Sequence, residues 1–461
     1  MATRRLVLGA VLLGLSACSG GPQPGTADPV PSSSPTPLPP PEDHGTRQGP
    51  RSAYDGQGFV VHEWGTDTVV VGSDGSLQIG LHHEEEDLPP FVEDRMKKTK
   101  ADPAKVVVDV KMETPVTYFY SDRPRTVQAR VSFPQGVFTQ WFPRVASMAP
   151  LLMGPGGAGG FERIYDPVFD LSTPFRSELC RTEFSALRGG HLDWGTIEIL
   201  PRDSRADASM PDAPLDRTTW SHARQVASNA VRTAGGDTER FLFYRGLGTF
   251  EPPVRVTAEG ASKLRLSNGL NAPMGTMFTL NVSTQGGAFR QEKGGIEAGK
   301  TLATEAPAAS DLKPIDTYTR ELADAVTDAL EDTGLYHDEA VAMVNTWKRQ
   351  WFKTPGIRVL YLAPQSWTDT SIPLEIVPPP ERSVRVMLMR VEVLVPEVEA
   401  ADVKQVRMLP AALPQVRAHF VALGRFAEPR LRRALAILGN PASGAALLRE
   451  LQGAPTRMAA D

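Results

Sequence analysis

The hydrophobic period of this chain changes in mid-sequence, and that change limits its fold more than any other feature. From Phe59 to Val282 the apolar residues come in short β-branched and aromatic runs, broken by Gly, Pro, Asn, Asp and Ser. Phe59-Val60-Val61, Val69-Val70-Val71, Val116 to Tyr120, the alternating Val127 to Phe133, Val254-Arg255-Val256 and Thr276 to Val282 all read as strands, with a turn at Gly72 to Gly75. Then Ile315, Tyr318, Leu322, Val326 and Leu330 recur at steps of three and four, the spacing of an amphipathic helix. Asp316 or Thr317 can cap it and Gly334 stops it. A second helix runs from about Asp338 to Phe352, and the short link predicts an αα-hairpin with Trp347 and Trp351 in the core. Strands return at Ile357 to Leu362, Ile372 to Val377 and Val384 to Val395. The last alternates at its end, with Arg390 and Glu392 on one side, and is expected to leave the core toward solvent. From about Val406 the chain reads as helical, with breaks at Pro429 and Pro441; its Leu423 to Leu438 stretch resembles a HEAT-type helix pair. The pattern predicts an α+β fold: a β-rich body with an αα-hairpin, a further strand set and a small C-terminal helical segment.

The N-terminus reads as an export signal. Arg4 and Arg5 precede an apolar run, Leu6 to Ala17, that is too short to span a bilayer. It ends in Leu15-Ser16-Ala17-Cys18, which resembles the lipobox of bacterial lipoproteins. That resemblance implies cleavage after residue 17, diacylglycerol on Cys18 and anchoring in a membrane by more than one acyl chain. Ser19 rather than Asp follows, so the expected address is the outer membrane of the cell envelope, on its periplasmic or surface side. Residues 18–53 are rich in Pro, Ser, Thr and Gly and cannot bury enough surface to order themselves, so they read as a tether. Extended, it would reach roughly 100 Å.

Net charge is −5, falling to −7 once Arg4 and Arg5 are removed, which gives no basic footprint for nucleic acid. With Cys18 lipidated, Cys180 is the one remaining cysteine, so no intramolecular disulfide is expected and the core must hold the fold. Roughly 410 residues beyond the tether suffice for two or three such cores.

A short echo divides the β-rich half. Val61-His62-Glu63-Trp64-Gly65-Thr66 is answered by His191-Leu192-Asp193-Trp194-Gly195-Thr196, and the spacing from Tyr120 to Gly136 equals that from Tyr244 to Gly260. Two related β-sandwich-like modules, 54–190 and 191–300, would explain it. Residues 301–400 would then complete the body with the hairpin and strands, and 401–461 would form the C-terminal segment. Trp-Gly-Thr reads as the opening turn of each module.

Chemistry-bearing residues gather between Phe59 and Asp87. His62, Glu63, His82, His83 and Glu85 are candidate ligands for a divalent transition metal, since imidazole and carboxylate together suit zinc, iron or manganese. His82 and His83 would face opposite ways on a strand, so His62 would have to supply a further ligand. The bland alternative is an acidic surface loop ending at Pro89-Pro90. Glu63 and Asp193 could pair as general acid and base, although an acid before Trp-Gly more often caps a turn. Gly294 to Thr301 matches the Walker A expression, but Arg290 to Lys293 before it is no buried strand and Pro307 follows closely, so no nucleotide is expected. No Gly-x-Ser-x-Gly elbow occurs, and nothing in the sequence makes a case for a serine or cysteine hydrolase.

Four stretches together, His62 to Thr66, Lys111 to Pro115, Phe241 to Gly248 and Gly334-Leu335-Tyr336, resemble a family of exported bacterial proteins that carries this His-Glu-Trp-Gly-Thr motif near the start of the folded body. The resemblance covers about residues 58–395 and implies one integrated body. It brings no assigned activity or functional residues. Two readings follow from the sequence. The first is a non-catalytic, lipid-anchored envelope protein that binds a protein or polysaccharide partner. The second is a metal-dependent envelope hydrolase built on His62, His82 or His83 and the nearby carboxylates. The oligomeric state stays open.

Overall fold

A computed structural model describes residues 52–81, 88–94, 110–150, 153–155, 161–163, 188–212 and 219–453. All of them belong to one compact unit. At its centre is strand β1 (Phe59–Val71), every residue of which is buried. Along the chain follow β2 (Glu93–Asp94), β3 (Val110–Ser121), β4 (Arg125–Phe133), β5 (Gly136–Phe142) and β6 (Ser147–Ala149). Then come β7 (Met153–Pro155), β8 (Phe161–Arg163), β9 (Gly190–Ile199), helix α1 (Thr219–Ala223), β10 (Val231–Thr233), β11 (Thr238–Glu239) and β12 (Phe241–Gly248). The next group is β13 (Val254–Glu259), β14 (Lys263–Asn268), β15 (Met277–Ser283), β16 (Gly286–Glu292) and β17 (Thr301–Glu305). The hairpin α2 (Ile315–Asp332) and α3 (His337–Trp351) leads to β18 (Gly356–Ala363), α4 (Gln365–Ser371), β19 (Leu374–Val377) and β20 (Arg382–Val393). Four helices close the described chain: α5 (Pro396–Arg407), α6 (Leu413–Val421), α7 (Ala427–Ile437) and α8 (Ala445–Gly453).

The main sheet has nine strands in the order β16-β15-β18-β20-β1-β3-β12-β5-β2, and β1 lies parallel to β20 and antiparallel to β3. A six-stranded sheet (β11-β10-β9-β4-β19, with β6 on β9) and a three-stranded one (β13-β14-β17) pack on one face of it. Val61, Val69 and Met389 meet Val131, Trp194 and Leu266 there. The other face is covered by α2 and α3, so Trp64, Val116 and Leu388 pack against Leu322, Val326 and Trp347. Coverage on both sides explains why the apolar stretches Phe59 to Val61 and Val69 to Val71 of β1 and Val386 to Met389 of β20 bury side chains on both faces, and why the polar residues between them are buried too. Among the described residues, no helix is long and apolar enough to cross a membrane.

The mixed α+β, β-rich architecture is the one the periodicity predicts. The αα-hairpin falls where the three-four spacing put it, and Trp347 and Trp351 stack in the core with ring centroids 5.2 Å apart. Strands from 54–190 and from 191–300 interleave: each segment contributes to both the nine-stranded and the six-stranded sheet.

Three expectations are corrected. Arg390 and Glu392 do not lead β20 into solvent; both are buried, because Glu392 accepts from Arg358 and Arg390 (2.9 and 2.7 Å) and the ion pairs offset the lost hydration. Helix returns at Pro396 rather than near Val406, and Pro429 sits in the first turn of α7, where its missing N–H costs nothing. Trp64-Gly65-Thr66 is no turn. It lies inside β1, and residues 114 and 115 of β3 bulge opposite Gly65.

Candidate functional site

Adjacent residues of a strand point to opposite faces. His62 and Glu63 therefore part company within β1, one going under the helices and the other into the sheet sandwich. Both are wholly buried. They share no site.

His62 Nδ1 is 2.8 Å from Glu339 Oε2 on the first turn of α3. The same carboxylate accepts from the Tyr120 hydroxyl (2.7 Å) and, as a helix-capping acid, from the Tyr336 backbone N–H (2.7 Å). Tyr336 and Tyr120 wall the imidazole, with ring centroids 4.4 and 5.5 Å away. Burial first, and then Glu339, push the Tyr120 phenol well above its ordinary value, so it stays a donor. Residues 52–58 cross this place from outside. Ser52 Oγ donates to the Leu335 carbonyl, the Ser52 carbonyl accepts from His337 N–H, and the Tyr54 ring stands 5.4 Å from that of Tyr120.

Glu63 is aligned in register with Arg385 of β20. Arg385 gives its Oε1 two hydrogen bonds (3.0 and 2.6 Å), while Thr117 (2.9 Å) and Tyr244 (2.6 Å) donate to Oε2. Arg385 also reaches Asp369 (2.9 Å) and the Ile372 carbonyl (2.7 Å). Burial pulls its guanidinium down, but Glu63 outweighs that and holds it above the usual arginine value. Every oxygen of Glu63 is satisfied.

Further along β1, Thr68 and Glu113 of β3 receive Arg425, which follows α6. Arg425 donates to both oxygens of Glu113 (2.6 and 3.2 Å) and to Thr68 Oγ1 (3.3 Å), with Lys111 Nζ 3.7 Å away. This buried ion pair docks the C-terminal helices on the body, helped by Arg433 bonding Glu399 and Asp74 at the Gly72 to Gly75 turn. Burial raises the Glu113 carboxyl, yet Arg425 and Lys111 bring it below the carboxylate range. Asp67 lies between the two networks and joins neither. It is fully buried, neither oxygen has a hydrogen-bond partner, and burial followed by the nearby Glu113 drives its carboxyl well above the usual value.

His82, His83 and Glu85 lie outside the described residues, as do Cys18 and Cys180. Among the described residues no three His, Cys, Asp or Glu side chains group as metal ligands would. Asp193 does not join Glu63; its Oδ1 accepts from Gly195 N–H (2.7 Å), while Trp194 is buried and donates to the Pro143 carbonyl (2.9 Å). Gly294 to Thr301 links β16 to β17, and no helix opens at its end to hold a phosphate.

A cavity of about 600 Å³ opens elsewhere, between the ends of α3, β18 and β20 and the C-terminal helices. Val70, Ile357, Leu394, Val398, Leu423 and Phe426 line it. The sequence reading missed this place, and also Arg385, Arg425 and Glu339. A lone arginine inside the apolar run Val384-Arg385-Val386-Met387 was the available signal, since such a residue needs a buried acid.

No family model matches the chain, and no curated protein matches it in sequence. Solved structures similar to it include the yeast delta-COP-I mu-homology domain complexed with a Dsl1 WxWxV peptide, at 8% identity and a TM-score of 0.26, over 73% of this chain and 98% of that one. The same yeast domain alone matches at 9% identity and a TM-score of 0.24, over 73% and 97%. Likeness at this level carries no argument about what this chain binds.

Proposed function

We propose that this chain is a lipid-anchored protein of the bacterial cell envelope whose β-rich body binds a protein or polysaccharide partner without acting on it chemically. In this reading Cys18 carries the lipid and residues 18–53 tether the body to an outer membrane. The resemblance of residues 58–395 to exported bacterial proteins supports the address. One observation carries the non-catalytic part. A general acid or base must come within about 3 Å of the proton it moves, whereas Glu63 is sealed between two sheets with both oxygens occupied and His62 lies under α3. These groups build the fold.

The test uses the full chain, expressed with its own signal and purified without tag or chelator. Labelling with an alkyne fatty acid should mark the parent and not Cys18→Ser. Cross-linking in cells should then yield a discrete partner. Elemental analysis supplies the opposing outcome: a stoichiometric transition metal, lost on replacing His62 and His83 by alanine, would replace this reading with a metal-dependent hydrolase.

A further inference from the structure

The cavity beside the C-terminal helices has a chemistry that the motif residues lack. Its inner wall is Val70, Ile357, Val393 and Leu394 from the ends of three neighbouring strands, and its outer wall is Leu423 and Phe426. The two walls belong to different layers and leave about 600 Å³ between them, inside the range of small-molecule sites. At roughly 30 Å³ for each water-sized group, that space takes about twenty non-hydrogen atoms. Val421, 47% exposed, continues the apolar surface out to the rim.

Charge at the mouth is one-sided. Arg349 is exposed and has no ion-pair partner among the described residues, and Lys353 meets only Asp316, at 3.8 Å, a side chain that is itself 91% exposed. Arg430 is occupied by Asp402 (2.7 and 2.8 Å). The one carboxylate in the lining, Glu392, is held by Arg358 and Arg390 and so presents no net negative charge to a ligand. A sugar would need hydrogen-bonding groups along its whole length, whereas the facing inner and outer walls are aliphatic and aromatic; of the uncharged polar side chains in the lining, Gln350 and Thr354, the Thr354 hydroxyl is spent on the Gln350 carbonyl.

We infer that this cavity binds a monoanionic amphiphile of the fatty-acid class, its hydrocarbon chain between the sheet ends and Leu423 and Phe426 and its anionic head at Arg349 and Lys353. The inference goes beyond the proposed function and does not depend on Cys18 being lipidated. An aliphatic chain gains from every apolar contact in such a slot, and the head forms charge-assisted hydrogen bonds that cost the exposed cations little reorganisation.

The test is displacement of a fluorescent polyene fatty acid from the full chain, with oleate and uncharged oleyl alcohol as competitors. Saturable binding of one probe per chain is expected, with the alcohol at least about tenfold weaker than oleate. Arg349→Glu with Lys353→Glu should weaken oleate by about tenfold or more and leave the alcohol and the melting temperature unchanged. Ala422→Trp, at an exposed position on the lining, should block both ligands by filling the slot. Absence of saturable binding, equal competition by oleate and oleyl alcohol, or indifference of oleate to the double charge reversal would each overturn the inference.

Discussion

An acid followed by Trp-Gly-Thr, with a histidine just before it, occurs twice in this protein, with Leu192 inserted after the histidine of the second copy, and the two copies obey different physics. In β1 it sits in the middle of a nine-stranded sheet, covered on both sides, and its acid, Glu63, is matched in register by Arg385 from a strand more than three hundred residues away in sequence. In β9 it lies in the six-stranded sheet, with Asp193 only partly buried and bonded two residues on, to Gly195 N–H. The glycines differ as well. A Cβ on Gly65 would stand 2.9 Å from Pro115 Cγ and 3.0 Å from its Cα, whereas Gly195 is needed for a backbone φ of 63°. One copy is fixed by its long-range surroundings and the other by its own backbone. Similar letters reflect two unrelated requirements.

The sharpest way to break that contrast is to remove Arg385. Arg385→Ala leaves Glu63 charged and unpaired between two sheets, and should cost about 3–5 kcal/mol in urea unfolding. Replacing both partners, Glu63→Leu with Arg385→Met, should recover most of that loss, because the desolvation of two charges disappears along with their attraction. A single variant no less stable than the parent would show that Glu63 has other company.

The glycines come next. Gly65→Ala should cost about 2–3 kcal/mol, since Pro115 is backbone-bound and cannot swing aside. Gly195→Ala has room, with Ala146 Cβ at 3.4 Å as its nearest neighbour, and should show only the left-handed penalty of about 1–2 kcal/mol. Midpoints that rank the other way would mean that the bulge on β3 relaxes.

Much of this architecture was legible because it rests on local period. The αα-hairpin, β18 and the alternating β4 all announce themselves in spacing. The candidate site was less legible. His62 and Glu63 look like a pair of ligands in one dimension, and strand geometry separates them; that much follows from the alternation rule once β1 is known to run unbroken through Trp64-Gly65-Thr66. Their partners could not be read. Arg385, Glu339 and Arg425 reach β1 and β3 only through tertiary packing, and nothing in the spacing of residues hundreds of positions apart encodes a shared neighbour.

Asp67 extends the comparison along the same face of β1, as a buried acid with no cation. Burial and Glu113 keep its carboxyl protonated well above the usual range, while in the unfolded chain it ionises near 4. Between those two values the unfolded state holds fewer protons than the native one, so stability falls as pH rises. Asp67→Asn cannot ionise and should escape this, gaining about 1–2 kcal/mol over the parent at mildly alkaline pH and nothing near pH 4. A gap that stays constant with pH would place a cation beside Asp67.

The smallest effect belongs to the second copy's acid. Asp193 makes one hydrogen bond to Gly195 N–H, on a partly exposed bulge where water can take its place. Asp193→Ala should therefore cost about 0.5–1.5 kcal/mol, and Asp193→Asn, which keeps an acceptor oxygen, less still. The two variants also separate capping from charge. Equal losses from Asn and Ala would mean that the carboxylate's charge matters at Asp193 as it does at Glu63; a loss confined to Ala leaves Asp193 a local acid of the β9 bulge, and the likeness between the two copies ends at their letters.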